Sequence, residues 1–234
     1  MDWTSYLSIA ALGGILPALF WLWFWLHEDN LHPEPRKRIL LCFLSGMLVV
    51  PLVFPFQKIV NDNFGSNDTI TFFLWAVIEE VFKFGAAYLF AISQRDNDEP
   101  VDVIIYMITT ALGFSAMENT FFFISSLQAG DFGIALITGN LRFIGATLLH
   151  TVASGTVGIF MALSYYMPRL SRNFFTYSGL ILAIILHTLF NLSIINQNGS
   201  STVIAFYGVW IGTVVILLAF EKIKHLIPPF TNSF

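Results

Sequence analysis

Two adjacent glutamates, Glu79 and Glu80, lie inside an apolar run of the sequence at residues 69–92, and Lys83 follows about one helical turn later. A carboxylate at mid-membrane depth costs roughly 2.5–3.5 kcal/mol, so such residues are retained where they pair, bind a ligand or react. Two carboxylates within hydrogen-bond reach cannot both stay ionised in a low dielectric, and a nearby lysine stabilises one of them as the charged partner. The other can then act as a general acid or base near neutral pH.

Four further polar residues in later apolar runs offer the partners that such chemistry needs: Glu118, His150, His187 and Asn191. Histidines and an asparagine amide can hold a water molecule and donate hydrogen bonds to a developing oxyanion. Glutamate and histidine are also ligands of Zn²⁺, which lowers the pKa of a bound water to about 7. The His-Glu-x-x-His motif of zinc proteases does not occur in the sequence. The residue types therefore indicate water attack on a peptide carbonyl, with or without a metal.

The composition indicates that these residues work within a lipid bilayer. Of the 234 residues, 56% are hydrophobic and only 11% are charged, whereas soluble domains carry about 25% charged residues. The net charge of −4 is small and spread along the chain, so no nucleic-acid partner is expected. Cys42 is the only cysteine, which excludes an intramolecular disulfide and a cysteine-based metal site. We therefore expect an integral membrane protein.

Seven apolar runs approach the roughly 20 residues that a membrane helix needs. They are approximately 6–26, 39–56, 70–93, 101–126, 142–166, 177–196 and 201–221. Segment 132–141 either extends the fourth loop or forms a short re-entrant piece, so the number of spans is about seven, or eight at most. The pattern predicts an all-α, polytopic transmembrane helical bundle, with one domain that fills residues 1–234.

The positions of Lys and Arg predict how this bundle is oriented. Cytoplasmic loops of membrane proteins carry an excess of these residues. With seven spans, Lys58 and Arg142 fall on one side, and Arg142 either snorkels to the interface or belongs to the site. Eight basic residues fall on the other side: Arg36, Lys37, Arg38, Arg95, Arg169, Arg172, Lys222 and Lys224. We therefore expect the N-terminus outside and the C-terminus in the cytoplasm.

This topology brings the polar residues of four helices to one depth. At about 1.5 Å per helical residue, the glutamate pair lies roughly 14 Å below the outer end of its helix. Glu118 and His150 come to about 12 Å and His187 to about 14 Å, with Asn191 one turn above His187. Residues that serve independent structural roles would be scattered in depth. The shared level therefore predicts a single polar site in the outer half of the membrane.

Each of these residues also has a purely structural interpretation. Glu79 and Lys83 stand four residues apart in the favourable order for an intrahelical ion pair, although that pairing leaves Glu80 alone. Glu118 and the histidines would be explained by interhelical hydrogen bonds, each worth about 0.6 kcal/mol on average. Because five such coincidences at one depth are less expected than one site, we favour the functional interpretation.

The same residues resemble the PrsW family of intramembrane proteases, within the larger group of CAAX-processing and bacteriocin-processing proteases. The matching motifs lie in order on successive helices: Glu79-Glu80-Val81-Phe82-Lys83 (EExxK), Phe114-Ser115-Ala116-Met117-Glu118-Asn119 (FxxxE), His150, and His187-Thr188-Leu189-Phe190-Asn191 (HxxxN/D). Asp98-Glu99-Pro100-Val101-Asp102 and Pro33-Glu34-Pro35 look like further parts of the family pattern. The resemblance covers roughly residues 25–195.

The resemblance implies an endopeptidase of the bacterial cytoplasmic membrane that hydrolyses a peptide bond of a membrane-anchored protein within or just outside the membrane. The depth of the polar residues favours a cut near the outer face. In this family the attributed role is first-site cleavage of an anti-sigma factor. By analogy with CAAX-type members, Glu79 activates the attacking water, and His187 with Asn191 stabilises the oxyanion.

The resemblance also implies that Glu80, Lys83 and His150 orient the site. Glu118 stands where CAAX-type members carry a histidine. The division of acid and base roles among the three glutamates therefore stays open.

The resemblance and the residue types leave alternatives. We expect no cofactor and favour a glutamate mechanism without metal over a Zn²⁺ site, for which the ligands would be Glu79, Glu118, His150 and His187. A proton- or cation-coupled transporter could use the same carboxylates, although neither an inverted repeat nor a line of ionisable residues toward the cytoplasm is present. A non-catalytic member of the fold would bind and shield a partner helix.

Overall fold

Seven α-helices make up the part of the chain that the computed structural model describes, residues 3–29, 33–128, 145–195 and 199–226. They are α1 (Trp3–Glu28), α2 (Arg36–Phe64), α3 (Asp68–Ala87), α4 (Pro100–Gln128), α5 (Thr147–Leu163), α6 (Arg169–Ile195) and α7 (Gly199–Ile223). A π-helical turn, Tyr88–Ile92, continues α3. No strand occurs in these ranges, so the all-α prediction is confirmed for them.

Five of the helices are long and apolar enough to cross a membrane: α1, α2, α4, α6 and α7. Helix α3 has 20 residues and carries Asp68, Glu79, Glu80 and Lys83, and α5 has 17 residues. Crossings by these two helices stay predictions. Segment 132–141 and Arg142 lie outside the described residues.

Helix α2 extends further than the sequence predicts. The polar stretch 57–68 is expected to be a connector, but α2 continues to Phe64 in spite of Pro51 and Pro55. Polar residues can continue a helix, because their helix propensities differ from those of most apolar residues by less than about 1 kcal/mol. A polar stretch therefore need not be a loop. The next helix begins at a capping residue, because the Asn67 side chain accepts a hydrogen bond from the backbone N–H of Ile70 at 3.2 Å.

Helix α4 forms the centre of the bundle and packs against α1, α2 and α5. Of its most apolar stretch, 94% is buried, against 22% to 44% in the other four helices of membrane length. Its backbone lies directly against α2: a Cβ atom on Gly113 would stand 2.0 Å from the carbonyl oxygen of Phe43, and one on Gly46 would stand 2.0 Å from that of Thr110. Glycine is required where two helix backbones approach this closely.

The two ends of the bundle differ in charge. Three contacts tie together the loops at one end: Arg38 with Asp96, the Tyr165 hydroxyl with the carbonyl of Asn97 at 2.9 Å, and Lys224 with Glu28 at 4.0 Å. The eight basic residues that predict the cytoplasmic side all belong to this end of the helices. The opposite end holds the α2–α3 turn, and the polar side chains described next lie nearer to it.

Candidate active site

Helix α3 presents three buried charged side chains, Glu79, Glu80 and Lys83, which are 5%, 0% and 0% exposed. The Lys83 ammonium donates to Oε1 of Glu80 at 2.5 Å. The intrahelical ion pair therefore joins Lys83 to Glu80, three residues away, and not to Glu79, the partner considered in the structural interpretation of the sequence. Helix α3 packs against α2 and α6, which brings each glutamate against a different set of partners.

Glu80 is held by hydrogen bonds from three helices. Besides Lys83, the Nδ1 atom of His187 on α6 lies 2.8 Å from Oε1, and the Ser154 hydroxyl on α5 donates to Oε2 at 3.1 Å. A buried carboxylate with a lysine and two further donors is stable as the charged species. Glu80 thus orients its neighbours rather than offering an unused oxygen.

Glu79 has the opposite environment. Its Oε1 accepts a hydrogen bond from Nε2 of Gln57 on α2 at 2.8 Å. Its Oε2 is buried and has no hydrogen-bond partner among the described residues, with Nε2 of His187 3.6 Å away. A buried acceptor without a partner carries a desolvation cost. This oxygen is therefore the one in the cluster that is set up to bind a water, a substrate or an ion.

His150 on α5 connects the lysine to the third glutamate. Its Nδ1 lies 3.0 Å from the Lys83 ammonium, and its Nε2 lies 3.1 Å from Oε2 of Glu118 on α4. Because an ammonium can only donate, Nδ1 accepts and Nε2 carries the proton that Glu118 accepts. The His150 ring also contacts the His187 ring edge to face, with centroids 5.1 Å apart.

A cavity of about 600 Å³ opens beside these groups. Glu79, Glu118, His150, His187 and Asn191 line it together with aromatic side chains. A volume of this size accommodates a small ligand or a short peptide segment. The structure thus brings six of the seven predicted site residues into one contact network and places Asn191 on the wall of the same cavity. Their catalytic roles stay proposals.

Two residues in the cluster do not belong to the set predicted from sequence. Gln57 falls in the stretch that the sequence assigns to a connector, and only the extension of α2 brings it to Glu79. Ser154 lies four residues after His150, so helical spacing alone puts it on the same face of α5. Its acidic partner, Glu80, is 74 residues away in the chain, and no sequence spacing reveals such a contact.

A metal ion fits the donor atoms that face the cavity. Glu79, His150 and His187 each offer a ligand atom, and these atoms all lie within 4.8 Å of one another. Nδ1 of His187 is hydrogen-bonded to the Glu80 carboxylate. In metal sites, a carboxylate in this position fixes the orientation of the ligating histidine ring. The buried Oε2 of Glu79 is available as a carboxylate ligand. Glu118, the fourth predicted ligand, lies outside this group of three and contacts His150 instead.

Comparisons with a family model and with curated proteins all match PrsW proteases. The PrsW-protease family model, described as PrsW family intramembrane metalloprotease, matches residues 34–220. Protease PrsW of Geobacillus kaustophilus is 22% identical over 217 residues, which are 91% of this chain and 89% of that protein. Protease PrsW of Halalkalibacterium halodurans is 25% identical over 185 residues, which are 76% and 79% of the two chains. Protease PrsW of Oceanobacillus iheyensis is 34% identical over 116 residues, 48% and 53% of the two chains. No solved structure matches.

Proposed function

Because the chain belongs to the PrsW family of intramembrane proteases and is an integral bacterial membrane peptidase, we propose that it hydrolyses a peptide bond of a membrane-anchored protein at the cavity of Glu79 and His187. The observation that carries this proposal is the contrast between the two glutamates. Glu80 is fully engaged by Lys83, His187 and Ser154, whereas Oε2 of Glu79 is buried without a partner among the described residues. One carboxylate supports the site and the other is available to react.

In this mechanism Glu79 is the general base. A water bound at its Oε2 loses a proton to the carboxylate while its oxygen attacks the carbonyl carbon of the scissile bond. The proton then passes to the leaving nitrogen as the carbon–nitrogen bond breaks, so the products are a carboxylic acid and an amine, which ionise to a carboxylate and an ammonium group. Gln57 holds the other carboxylate oxygen and keeps Oε2 directed at the cavity.

The oxyanion that forms in this step needs donors on the opposite wall. The Glu80 carboxylate holds the His187 ring through Nδ1, and Nε2 of the same ring, 3.6 Å from Oε2 of Glu79, donates to the oxyanion when it carries a proton. The Asn191 amide, one helical turn away and on the same cavity wall, supplies the second donor. Lys83 and Glu118 orient His150 between them.

We infer that the substrate is cut near the outer face of the membrane and is a regulator such as an anti-sigma factor. The eight basic residues at the other end of the bundle support this orientation, since an excess of Lys and Arg marks the cytoplasmic side. The family resemblance supports the class of substrate.

A metal-dependent form of the same hydrolysis is the second candidate, because Glu79, His150 and His187 fit a metal ion. A bound Zn²⁺ would supply a more acidic water and polarise the carbonyl. Glu79, His150 and His187 would hold it, and Glu80 would keep the His187 ring in place. To ligate the metal, His150 would give up its hydrogen bond to Glu118 or to Lys83.

The test compares the membrane proteomes of cells that carry the wild-type protein or Glu79→Gln, which keeps the side-chain shape but removes the base. We expect at least one membrane-anchored protein to accumulate uncut in the variant. If no membrane protein differs between the two, or if purified Glu79→Gln protein cuts that substrate at the wild-type rate, the proposal is wrong.

The same purified system separates the candidates. Activity that is lost with a chelator and restored by Zn²⁺ supports the metal-dependent form, whereas activity that the chelator leaves unchanged supports the glutamate mechanism alone. Proton flux into sealed vesicles that disappears in Glu79→Gln would instead support a transporter.

A further inference from the structure

A second cavity lies between α5, α6 and α7 and has a volume of about 550 Å³. Residues 182–193 of α6 and 204–219 of α7 form its two sides, and α5 forms its floor. At 1.5 Å per residue these stretches run for roughly 17 Å and 22 Å along the helices. The lining is almost entirely apolar and includes Leu186 and Leu189 of α6 and Val209 and Val215 of α7. We call this cavity the α6–α7 groove.

We call the cavity of about 600 Å³ beside Glu79 and His187 the catalytic cavity. The α6–α7 groove adjoins it. Leu149 and Phe190 line both of them. Leu149 precedes His150, and Phe190 lies between His187 and Asn191 in sequence. The Phe190 ring contacts the ring of Phe206 on α7, with centroids 6.3 Å apart. A molecule lying in the groove would therefore reach the side chains of Leu149 and Phe190, which the two cavities share, beside His150 and His187.

Two glycines of α7, Gly208 and Gly212, line the groove, and only Gly208 has open space beside it. A Cβ atom on Gly208 would meet nothing within 4 Å, although Gly208 lines the groove. Gly212, one turn later, differs, because a Cβ there would stand 2.8 Å from Val152 on α5. Gly212 is thus used by the packing of the bundle itself, whereas Gly208 leaves room for an additional helix to approach the α7 backbone.

We propose that the α6–α7 groove binds the transmembrane helix of the substrate and directs the chain that leaves this helix into the catalytic cavity beside Phe190. This proposal rests on the proposed function and specifies where its substrate binds. The apolar groove is followed by the cavity that holds the polar cluster, and a membrane-anchored substrate has a matching order, an apolar helix followed by the peptide bond to be cut. The groove has the length of about 11–15 helical residues and room for the side chains of one helix face, while Gly208 permits close approach.

The experiment uses a photo-crosslinking amino acid in the full-length chain with Glu79→Gln, so that substrate binds without being cut. Benzoylphenylalanine replaces Val215, which lines the groove, or Val214, the matched control on the same helix that does not. The two positions are 55% and 52% exposed. We expect the probe at Val215, and not the probe at Val214, to cross-link the membrane protein that accumulates uncut in the Glu79→Gln proteome.

Adducts at Val215 that contain only lipid, or the same protein adduct from both positions, would overturn the groove proposal while leaving the proposed function intact. If no membrane protein accumulates in Glu79→Gln cells, the proposed function itself has failed. The two failures are therefore distinguishable.

A second measurement uses Gly208→Leu, which fills the groove. Cleavage of the accumulated membrane protein should fall by more than about tenfold in kcat/KM, mainly through KM. Cleavage of a short soluble peptide that spans the same cut site should not change. Gly85→Leu is the control, because a Cβ on Gly85 also meets nothing within 4 Å but this residue lies on α3, away from the groove. Equal loss with both glycine variants, or equal loss on both substrates, would contradict the proposal.

Discussion

Glu79 and Glu80 are neighbours in sequence with different chemical environments, because successive residues of a helix point about 100° apart. Glu80 faces Ser154 on α5 and His187 on α6, and Lys83 of its own helix completes its partners. Removing it would leave the Lys83 ammonium buried without its counter-charge, at a cost of several kcal/mol. Glu79 faces Gln57 and the cavity. At the scale of single residues, the fold therefore distinguishes a carboxylate that is held by three donors from one whose Oε2 has no hydrogen-bond partner among the described residues.

The residue-scale prediction concerns Gln57. Gln57→Leu removes the hydrogen bond to Oε1 of Glu79 and leaves that carboxylate free to rotate out of position. Since misplacement of a catalytic group lowers the rate of the chemical step, we expect kcat to fall by about tenfold or more with little change in KM. The measurement is the kcat and KM of the purified variant with the membrane protein that accumulates uncut in Glu79→Gln cells.

Asn63→Leu is the control for Gln57→Leu. Asn63 is a second amide on α2, but it is exposed and donates to the carbonyl of Ile59 in its own helix, at 2.7 Å. Equal kcat values for the two variants would show that Gln57 does not position the base.

At the scale of the elements, α4 supports the site through its contact with α2. Glu118 extends from α4, and Gln57 extends from α2, so both depend on the close approach at Gly46 and Gly113. The α1–α2 loop adds a contact at the opposite end of α4, where the Tyr106 hydroxyl donates to a carboxyl oxygen of Glu34. The family-like residues Pro33-Glu34-Pro35 thus have a structural role that the sequence did not predict.

The first prediction at this scale is that Gly113→Ala destabilises the protein. The added methyl group would stand 2.0 Å from the carbonyl oxygen of Phe43, so α2 and α4 must separate. Overpacking of this kind costs about 1–3 kcal/mol.

Gly85→Ala should instead leave stability unchanged or raise it by up to about 1 kcal/mol, because the position is open and alanine favours helix. Thermal unfolding in detergent compares the two variants. Equal melting temperatures would contradict the close packing of α2 on α4.

The second prediction at this scale is a pH dependence of stability. Burial, together with a hydrogen bond to Asp102, raises the pKa of the Glu34 carboxyl from its ordinary 4.5 to about 9. The folded protein therefore holds this proton more tightly than the unfolded chain, and stability falls as the pH rises from about 4.5 to about 9.

Glu34→Gln cannot titrate, so its melting temperature should decline less between pH 6 and pH 9 than that of the wild type. Melting curves in detergent across this range measure the difference. Parallel curves for the two proteins would contradict the shifted titration.

For the molecule as a whole, the distribution of charge sets the expected orientation. All eight basic residues of the predicted cytoplasmic side share one end of the bundle, and the α2–α3 turn lies at the other. The catalytic cavity is nearer this second end, since Gln57 is seven residues before the end of α2. From the positive-inside tendency we therefore expect the cavity to lie toward the outer face.

Cysteine labelling in intact cells tests this orientation. Cys42 is buried, so the wild-type chain is the unlabelled reference. We expect a membrane-impermeant thiol reagent to label Ser66→Cys, in the α2–α3 turn, and to label Asn173→Cys only after the membrane is permeabilised. The reverse pattern would place the catalytic cavity near the cytoplasm.

The sequence alone determined the helical architecture and most members of the site. Apolar runs of membrane length predict helices because a buried backbone must satisfy its own hydrogen bonds. Glu79, Glu118, His150 and His187 are recognisable because ionisable side chains are costly among apolar residues. These properties are local, and the residue order records them directly.

Only the tertiary structure decided how those residues pair. Lys83 bonds to Glu80 and not to Glu79, Gln57 reaches the site through an unexpected extension of α2, and Ser154 meets a glutamate far away in the chain. The rotation of each helix and the closeness of its neighbours set these contacts, and both follow from packing among several helices at once. No single stretch of the sequence carries that information.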